Sequence, residues 1–245
     1  MRRNLNTVVK ESMFGEPAVA IYRGLYKLRR KTARHDERII QQYFARNEVR
    51  KLQLGCGFNL PDGWLNSDFF PKDSNVIHVD ATGVFPFADR TFDYVFSEHM
   101  IEHIPYPMGH SMLKQSWRVL KDGGKVRIST PDLAFVVALY NPEKSPLQDA
   151  YIRWAAEGCH AAQAWDTFVI NNFVRAWRHT FIYDEKVLRY SLEQAGFVDI
   201  TRMELNESND VAFRNLENER RSPEGFLKLE SLTLEGTKRA SSTPR

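Results

Sequence analysis

The chain has 245 residues, of which 42% are hydrophobic, and its formal net charge is +3. This length is enough for one α/β domain with a full core. No apolar run reaches the roughly 18 to 20 residues of a membrane span, and the start lacks a signal-peptide pattern, so we expect a cytoplasmic protein. The two cysteines, Cys56 and Cys159, form no C-x-x-C pair, which argues against a disulfide framework and against redox or thiolate zinc chemistry.

Residues 1–50 form a basic arm, with 12 Lys/Arg against 5 Asp/Glu, whereas the rest of the chain has 22 against 26. Apolar residues at helical spacing, including Ile39, Ile40, Tyr43 and Phe44, predict a helix that packs on the core. The basic side chains also fit contact with an anionic membrane surface or another polyanion, which leaves a membrane-peripheral location open. The residues concerned are Arg23, Lys27, Arg29, Arg30, Lys31 and Arg34.

Strands then alternate with helices and crossover loops in a single predicted domain, residues 51–236, followed by a flexible tail, residues 237–245. Strands are predicted at 51–55, 64–70, 75–81, 92–98, 125–130, 197–205 and 226–236. A helix is predicted over 108–120, with a turn at Lys121–Gly124 after it, and another over 184–195, stopped by Gly196. Residues 132–180 are predicted to be mostly helical and are rich in aromatic side chains.

Strands joined by helices predict a parallel sheet, which binds ligands beyond the carboxyl ends of its strands. Functional side chains are therefore expected just after strands. This criterion selects Gly55–Asn59, Asp68, Asp80 and Ala81, Ser97–His99, and Thr130–Asp132.

The turn Gly55-Cys56-Gly57 is a weak signal by itself. Leu60 stands where a dinucleotide fingerprint needs glycine, and no P-loop motif is present. Carboxylates after the next two strands make the signal stronger: Asp68 suits a ribose diol, and Asp80 can accept a hydrogen bond from an adenine amine. These residues together describe a site for an adenosine ligand, although both carboxylates could instead cap loops.

The motifs KLQLGCG, DGWLNSD, HVDATGVFPFADRTFDYVFSEHMIEH, WRVLKDGGKVRISTPD and RHTFIYDEKVLRYSLEQAGF occur in this order between Lys51 and Phe197. In this the chain resembles the class I S-adenosylmethionine-dependent methyltransferases, and in particular a small LxLGCG…GWxNxD group associated with glycan modification. The resemblance implies a Rossmann-like fold. The expected sheet is mostly parallel and seven-stranded with a terminal antiparallel strand, and residues 132–180 form a helical lid.

The resemblance also implies roles for individual residues. Gly55, Cys56 and Gly57 would contact the methionine part of S-adenosylmethionine, Asp68 the ribose, and Asp80 with the Ala81 backbone the adenine. Glu98 would form part of the wall of the cofactor site. Gln53 belongs to the same set, although many relatives have an acidic residue there, and Asn59 stands where many have a third glycine.

The stretch His99-Met100-Ile101-Glu102-His103 matches the zinc-peptidase motif H-x-x-E-H, in which two histidines four apart on a helix share a metal. Pro105 and Pro107 leave no room for a long helix after it, so we expect no metal. In the resembled family this place adjoins the methyl-transfer site. For His103 we expect a buried histidine that is hydrogen-bonded to the backbone. For His99 this structural role and a role in contact with substrate are equally compatible with the sequence.

The sequence therefore predicts an O-methyltransferase that acts on a sugar hydroxyl or glycan precursor, with His99 as general base and His179 as an acceptor-binding residue. The reverse assignment stays open, as do Glu98, Asp132 or no base at all. Other acceptors, such as another small molecule or a lipid, also stay open, whereas no nucleic acid is expected. A zinc hydrolase and a noncatalytic module that binds an adenosine ligand or a polyanion are the alternatives from other classes.

Overall fold

The computed structural model describes residues 34–240. Most of the basic arm, including Arg23 to Lys31, and the tail from residue 241 lie outside the described residues, so membrane contact through the arm stays a prediction. Within residues 34–240, no helix combines the length and the apolar character that crossing a membrane requires.

One seven-stranded sheet forms the centre of the described chain, in the order β3-β2-β1-β4-β5-β7-β6. The strands are β1 Lys51–Leu54, β2 Leu65–Asp68, β3 Ile77–His78, β4 Phe92–Glu98, β5 Leu120–Pro131, β6 Phe197–Met203 and β7 Ser231–Lys238. The first five pair in parallel, whereas β7 is antiparallel to both β5 and β6. The predicted mostly parallel sheet with a terminal antiparallel strand is confirmed.

Helices flank this sheet and precede or follow its strands. They are α1 His35–Arg46, α2 Tyr106–Val119, α3 Leu133–Ala138, α4 Pro146–Gly158, α5 Asp166–Arg175, α6 Glu185–Ala195 and α7 Phe226–Glu230. The limits of α6 follow from its sequence. The Asp184 side chain accepts a hydrogen bond from the backbone N–H of Val187, and Gly196 ends the helix at a φ of 103°.

The described residues contain two main apolar clusters. The larger lies between the sheet and α1, α2 and α6, and includes Leu54, Val95 and Leu192. The smaller lies within residues 133–182, where Phe135, Tyr151 and Phe173 pack together, and Phe226 from α7 joins it. The predicted helical insertion therefore has an apolar core of its own beside the sheet.

Several predicted boundaries differ from the structure. Phe226–Glu230, predicted as the start of a strand, is helical, because Gly225 turns the chain at a φ of 79° and Phe226 packs against the Tyr151 and Trp154 rings. The turn predicted at Lys121–Gly124 lies within β5, where the pairing with β4 shifts register. Strand β7 continues to Lys238, beyond the predicted boundary at 236.

Candidate active site

The two glycines of the turn after β1 serve different purposes. Both have positive φ angles, 68° at Gly55 and 55° at Gly57. A Cβ on Gly55 would overlap the side chain of Met100, so glycine is needed there for packing within the protein. A Cβ on Gly57 would meet no atom within 4 Å among the described residues. Gly57 therefore borders open space into which a ligand can approach the backbone.

Asp68, at the end of β2, fixes this turn. Its Oδ2 accepts a hydrogen bond from the Gly57 N–H at 3.0 Å, and its Oδ1 accepts one from the Phe70 N–H at 2.7 Å. Each carboxylate oxygen keeps a further lone pair, so two more donors, such as a ribose diol, can still be bound. The structure thus brings together two residues that the sequence predicts in one site.

Cys56 lies buried between the two glycines, and its N–H donates to the Ser67 carbonyl. Burial, assisted by the negative charge of Asp68, raises the pKa of the Cys56 thiol to about 12. A thiol with this pKa stays protonated at neutral pH and is a poor nucleophile. The raised pKa therefore argues against a nucleophilic role for Cys56.

Asp80 follows β3 and organises a short turn. Its Oδ1 accepts hydrogen bonds from the backbone N–H and the side-chain hydroxyl of Thr82, at 3.1 and 2.6 Å. This is the loop-capping role that the sequence left open, and it holds the carboxyl group at the same sheet edge as Asp68. Ala81 lies next to it, partly buried against the larger apolar cluster.

Glu98, at the end of β4, ties two loops to the sheet. Its Oε2 accepts from the Asn59 side-chain amide at 2.8 Å, and its Oε1 accepts from the Asn218 N–H at 3.0 Å. Burial raises the pKa of Glu98 above its ordinary value. Asn59, which departs from the family pattern, is thus used to hold Glu98 in place.

Two polar atoms on the neighbouring strands β1 and β4 have no hydrogen-bond partner within residues 34–240: Gln53 Oε1 and Ser97 Oγ. Both side chains are buried, and such atoms are costly to bury without a partner. Their strands, β1 and β4, are neighbours in the sheet and end at the edge that carries Gly57 and Asp68. Together these groups fit an adenosine ligand with an amino-acid tail. We call Gln53–Gly57, Asp68, Asp80–Ala81 and Glu98 the glycine-turn site.

A cavity of about 190 Å³ opens beyond the carboxyl ends of β4 and β5, beneath the helical insertion. We call it the lid cavity. It is lined by His99, Glu102, His103, Pro131, Trp154, Phe173, Trp177, His179, Arg221 and Glu230. Both histidines that the sequence selects as catalytic, His99 and His179, therefore face one cavity.

His99 is held on both sides by protein groups. It turns the chain after β4 at a φ of 44°, and its side chain is only 8% exposed. Its Nε2 lies 2.7 Å from the Ser231 hydroxyl, and its Nδ1 lies 3.6 Å from Glu102 Oε1. Burial, with a smaller contribution from the charge of Arg221, lowers the pKa of His99 well below its ordinary value.

Glu102 is fully buried at the centre of this group. Its Oε2 accepts a hydrogen bond from the Thr130 hydroxyl at 3.1 Å. Its Oε1 has no hydrogen-bond partner among the described residues and lies 3.7 Å from His103 Nε2. Burial raises the pKa of Glu102 to about 8.

His179 approaches from the insertion. Its Nδ1 lies 2.7 Å from the Phe173 carbonyl oxygen, which can only accept, so Nδ1 carries the proton and Nε2 keeps a lone pair. Its ring centroid lies 5.1 Å from that of His103. Burial lowers the pKa of His179, which favours the neutral ring.

Sequence reasoning did not assign functions to Glu102, Trp154, Arg221 or Glu230. Glu102 carried a signal in the H-x-x-E-H motif, and Trp154 belonged to the aromatic stretch of the insertion. Arg221 and Glu230 follow no strand and belong to no motif. Their places near the cavity come from the chain path after β6, which no local pattern reveals.

Residues 64–128 match a family model described as a methyltransferase domain. This segment runs from β2 to β5, and the sheet order and the antiparallel β7 are those expected for a class I methyltransferase. In residues 64–128 the chain is therefore similar to a methyltransferase domain, and S-adenosylmethionine is the methyl donor that this similarity implies.

Solved structures with a similar arrangement have low sequence identity to this chain. A SAM-dependent methyltransferase from Archaeoglobus fulgidus is 17% identical, with a TM-score of 0.47 and coverage of 88% of this chain and 94% of that one. Phosphoethanolamine N-methyltransferase 2 from Haemonchus contortus, with bound S-adenosylmethionine, is 15% identical, with a TM-score of 0.42 and coverage of 78%.

The chain spans about half, 49%, of the length of the Haemonchus enzyme. A search of curated proteins gave no significant match. Both TM-scores lie below 0.5, so the similarity to methyltransferases rests on the family match over residues 64–128.

Proposed function

We propose that this chain is a class I methyltransferase that transfers a methyl group from S-adenosylmethionine to a hydroxyl of a sugar or glycan precursor. The observation that carries the proposal is the lid cavity, which combines aromatic walls with hydrogen-bonding side chains from the turn after β4, the helical insertion and the chain after β6. Sugars present apolar ring faces and polar edges, and a cavity of this mixed composition can bind both.

The size of the lid cavity favours a small acceptor. Its volume of about 190 Å³ lies below the roughly 300 to 1,000 Å³ that is usual for drug-sized ligands. Trp154 and Trp177 supply flat walls, and Arg221 and Glu230 supply a donor and an acceptor. One sugar-sized ring suits these walls better than an extended polymer segment does.

The cofactor would be held in the glycine-turn site. Gly57 lets the ligand approach the backbone, Asp68 can accept from the ribose, and Asp80 can accept from the adenine amine. Gln53 Oε1 and Ser97 Oγ are unpartnered acceptors that suit the amino group of the methionine part. When bound, S-adenosylmethionine supplies a methyl group activated by its sulfonium.

Methyl transfer needs an acceptor hydroxyl that is aligned and then deprotonated. The acceptor oxygen forms a bond to the methyl carbon while the carbon–sulfur bond breaks and its electron pair stays on sulfur. The chain aligns the hydroxyl against the aromatic walls, and the hydroxyl proton can pass to the lone pair of His179 Nε2.

The geometry refines the roles predicted for the two histidines. His179 Nε2 has a lone pair that can accept a hydrogen bond from the acceptor hydroxyl, which supports its predicted acceptor-binding role. His99 has Ser231 beside one ring nitrogen and Glu102 beside the other, which favours a positioning role toward Glu102 over the predicted role as base.

The test is transfer of a labelled methyl group from S-adenosylmethionine by the purified full chain. The acceptor panel contains monosaccharides, nucleotide-linked sugars, lipid-linked sugars, and hydroxyl compounds that lack a sugar ring. We expect label in a sugar-containing acceptor, and we expect His179→Gln to remove it. Label only in acceptors without a sugar contradicts the acceptor class, and no transfer with intact cofactor binding favours a noncatalytic module.

A further inference from the structure

Three side chains in the lid cavity are arranged as metal ligands. One ligand atom from each of Glu102, His103 and His179 lies within 4.8 Å of the others. We propose that these three residues bind one divalent transition-metal ion of the zinc class. Nitrogen and carboxylate oxygen donors in a two-histidine, one-carboxylate set are typical of zinc sites that leave a coordination position open.

Glu102 gives the strongest support. It is 0% exposed, and its Oε1 has no hydrogen-bond partner within residues 34–240. An unpaired buried carboxylate is costly, and a cation in the cavity would remove that cost. Arg221, on the cavity wall, lies 3.9 Å from Glu230 and forms no salt bridge with Glu102 within residues 34–240, although its charge partly offsets the rise that burial causes in the pKa of Glu102.

The groups behind two of the three ligands, His179 and Glu102, are those that metal sites use. A metal-binding histidine usually donates its second ring N–H to a carbonyl or carboxylate, which fixes the ring and its tautomer. His179 does this through Nδ1 and the Phe173 carbonyl, which leaves Nε2 for an ion. Glu102 is similarly fixed, because Thr130 donates to its Oε2.

The distances require only a modest closure. Zinc binds nitrogen and oxygen at about 2.0 to 2.2 Å, so tetrahedral ligand atoms lie about 3.4 Å apart. Glu102 Oε1 and His103 Nε2 are already 3.7 Å apart. The remaining adjustment falls on His179, which lies on the chain that leaves the helical insertion.

This ligand set differs from the one that the H-x-x-E-H motif implied. The motif predicts a metal between His99 and His103 on a helix, and we expected none because a long helix was excluded. The structure has a single 3-10 turn at Ile101–His103, and His99 bonds Ser231. The third ligand instead comes from the insertion, which the motif does not include.

An ion here would have one consequence for the reaction, and this consequence, unlike the binding, rests on the proposed function. With the ion bound, His179 Nε2 would be a ligand, and the acceptor hydroxyl would take the open coordination position instead of bonding to His179. A coordinated hydroxyl has a lowered pKa, so its proton could leave to solvent without a histidine base.

The experiment is a calorimetric titration of the chelator-treated full chain with Zn²⁺, repeated with Mn²⁺ and Mg²⁺. We expect one Zn²⁺ per chain in the wild type, and affinity at least about 100-fold lower in His179→Gln and His103→Gln. His160→Gln is the matched control, because His160 is an exposed histidine that does not line the lid cavity. An ion bound at His160 would be adventitious. We expect this control to bind Zn²⁺ as the wild type does.

The same samples are titrated with S-adenosylhomocysteine, which shows that each variant is folded. Normal S-adenosylhomocysteine binding without a stoichiometric ion overturns the metal site and leaves the proposed function intact. Zinc affinity that is unchanged in both ligand variants also overturns it. A bound ion with hydrolysis of ester or peptide substrates and no methyl transfer supports the metal site and overturns the proposed function.

Discussion

The glycine-turn site and the lid cavity are built in different ways. Every member of the glycine-turn site lies on or just after one of the parallel strands β1 to β4, between residues 53 and 98. The lid cavity takes side chains from the turn after β4, from the helical insertion, and from the chain after β6. One site is therefore carried by the regular sheet, and the other depends on how separate segments pack together.

The largest effect is expected in the lid cavity. His179→Gln should lower turnover by about 10² to 10⁴, because it removes the Nε2 lone pair that faces the acceptor or an ion. Cofactor affinity should stay within about twofold, since His179 is not part of the glycine-turn site. Single-turnover kinetics with the acceptor found in the transfer assay, beside His160→Gln, measures this. A parallel loss of cofactor binding contradicts the separation of the two sites.

The packing of the insertion gives the next largest effect. Phe173→Ala removes a buried ring from the smaller apolar cluster and should cost about 3 to 5 kcal/mol of local stability. Hydrogen exchange should then accelerate over residues 133–179, while β1 and β4 keep their protection and the cofactor still binds. Phe92→Ala, in the larger cluster, is the matched comparison and should lower protection throughout the sheet. Equal loss in both variants contradicts two separable cores.

Asp68 tests the glycine-turn site. Asp68→Ala removes the acceptor for the Gly57 N–H and the group assigned to the ribose, so S-adenosylhomocysteine should bind about 10- to 100-fold more weakly. Zinc binding in the lid cavity should not change. Asp62→Ala, at an exposed residue in the turn before β2, is the control and should bind the cofactor normally. If the two variants bind equally, Asp68 does not contact the cofactor.

The smallest expected effect separates backbone strain from ligand contact. Gly57 and Gly123 both have positive φ, and a Cβ at either would meet no described atom within 4 Å. Alanine at either position should lower the free energy of unfolding by about 1 to 2 kcal/mol, which the melting temperature reports. Only Gly57→Ala should also weaken cofactor binding, because its Cβ enters the open space. Equal cofactor affinity in both variants would place the ligand elsewhere.

The same contrast explains how much could be predicted from the sequence. Strand ends in a parallel sheet share one edge, so the order of strands was enough to group Gly57, Asp68 and Asp80. The identity of the ligand groups in the lid cavity was not accessible in this way. Glu102 is a candidate ligand because it is buried, which the sequence does not show. His179 is one because its ring lies near His103, 76 residues away in sequence.

Local patterns also failed where packing decided the structure. Phe226–Glu230 alternates apolar and polar residues as a strand does, yet it is a helix because Phe226 fits against the aromatic rings of the insertion. The motif H-x-x-E-H lies on a 3-10 turn, which orients its histidines differently from the long helix of zinc peptidases, so its spacing alone did not indicate which side chains meet. Both cases lie at the lid cavity, where distant segments meet.

The most direct test of the two-site account is a calorimetric titration with S-adenosylhomocysteine of three proteins: wild type, Asp68→Ala and His179→Gln. The account predicts one bound ligand per chain with equal affinity in the wild type and His179→Gln, and clearly weaker binding in Asp68→Ala. No binding by the wild type, or a loss that is as large in His179→Gln as in Asp68→Ala, would contradict it.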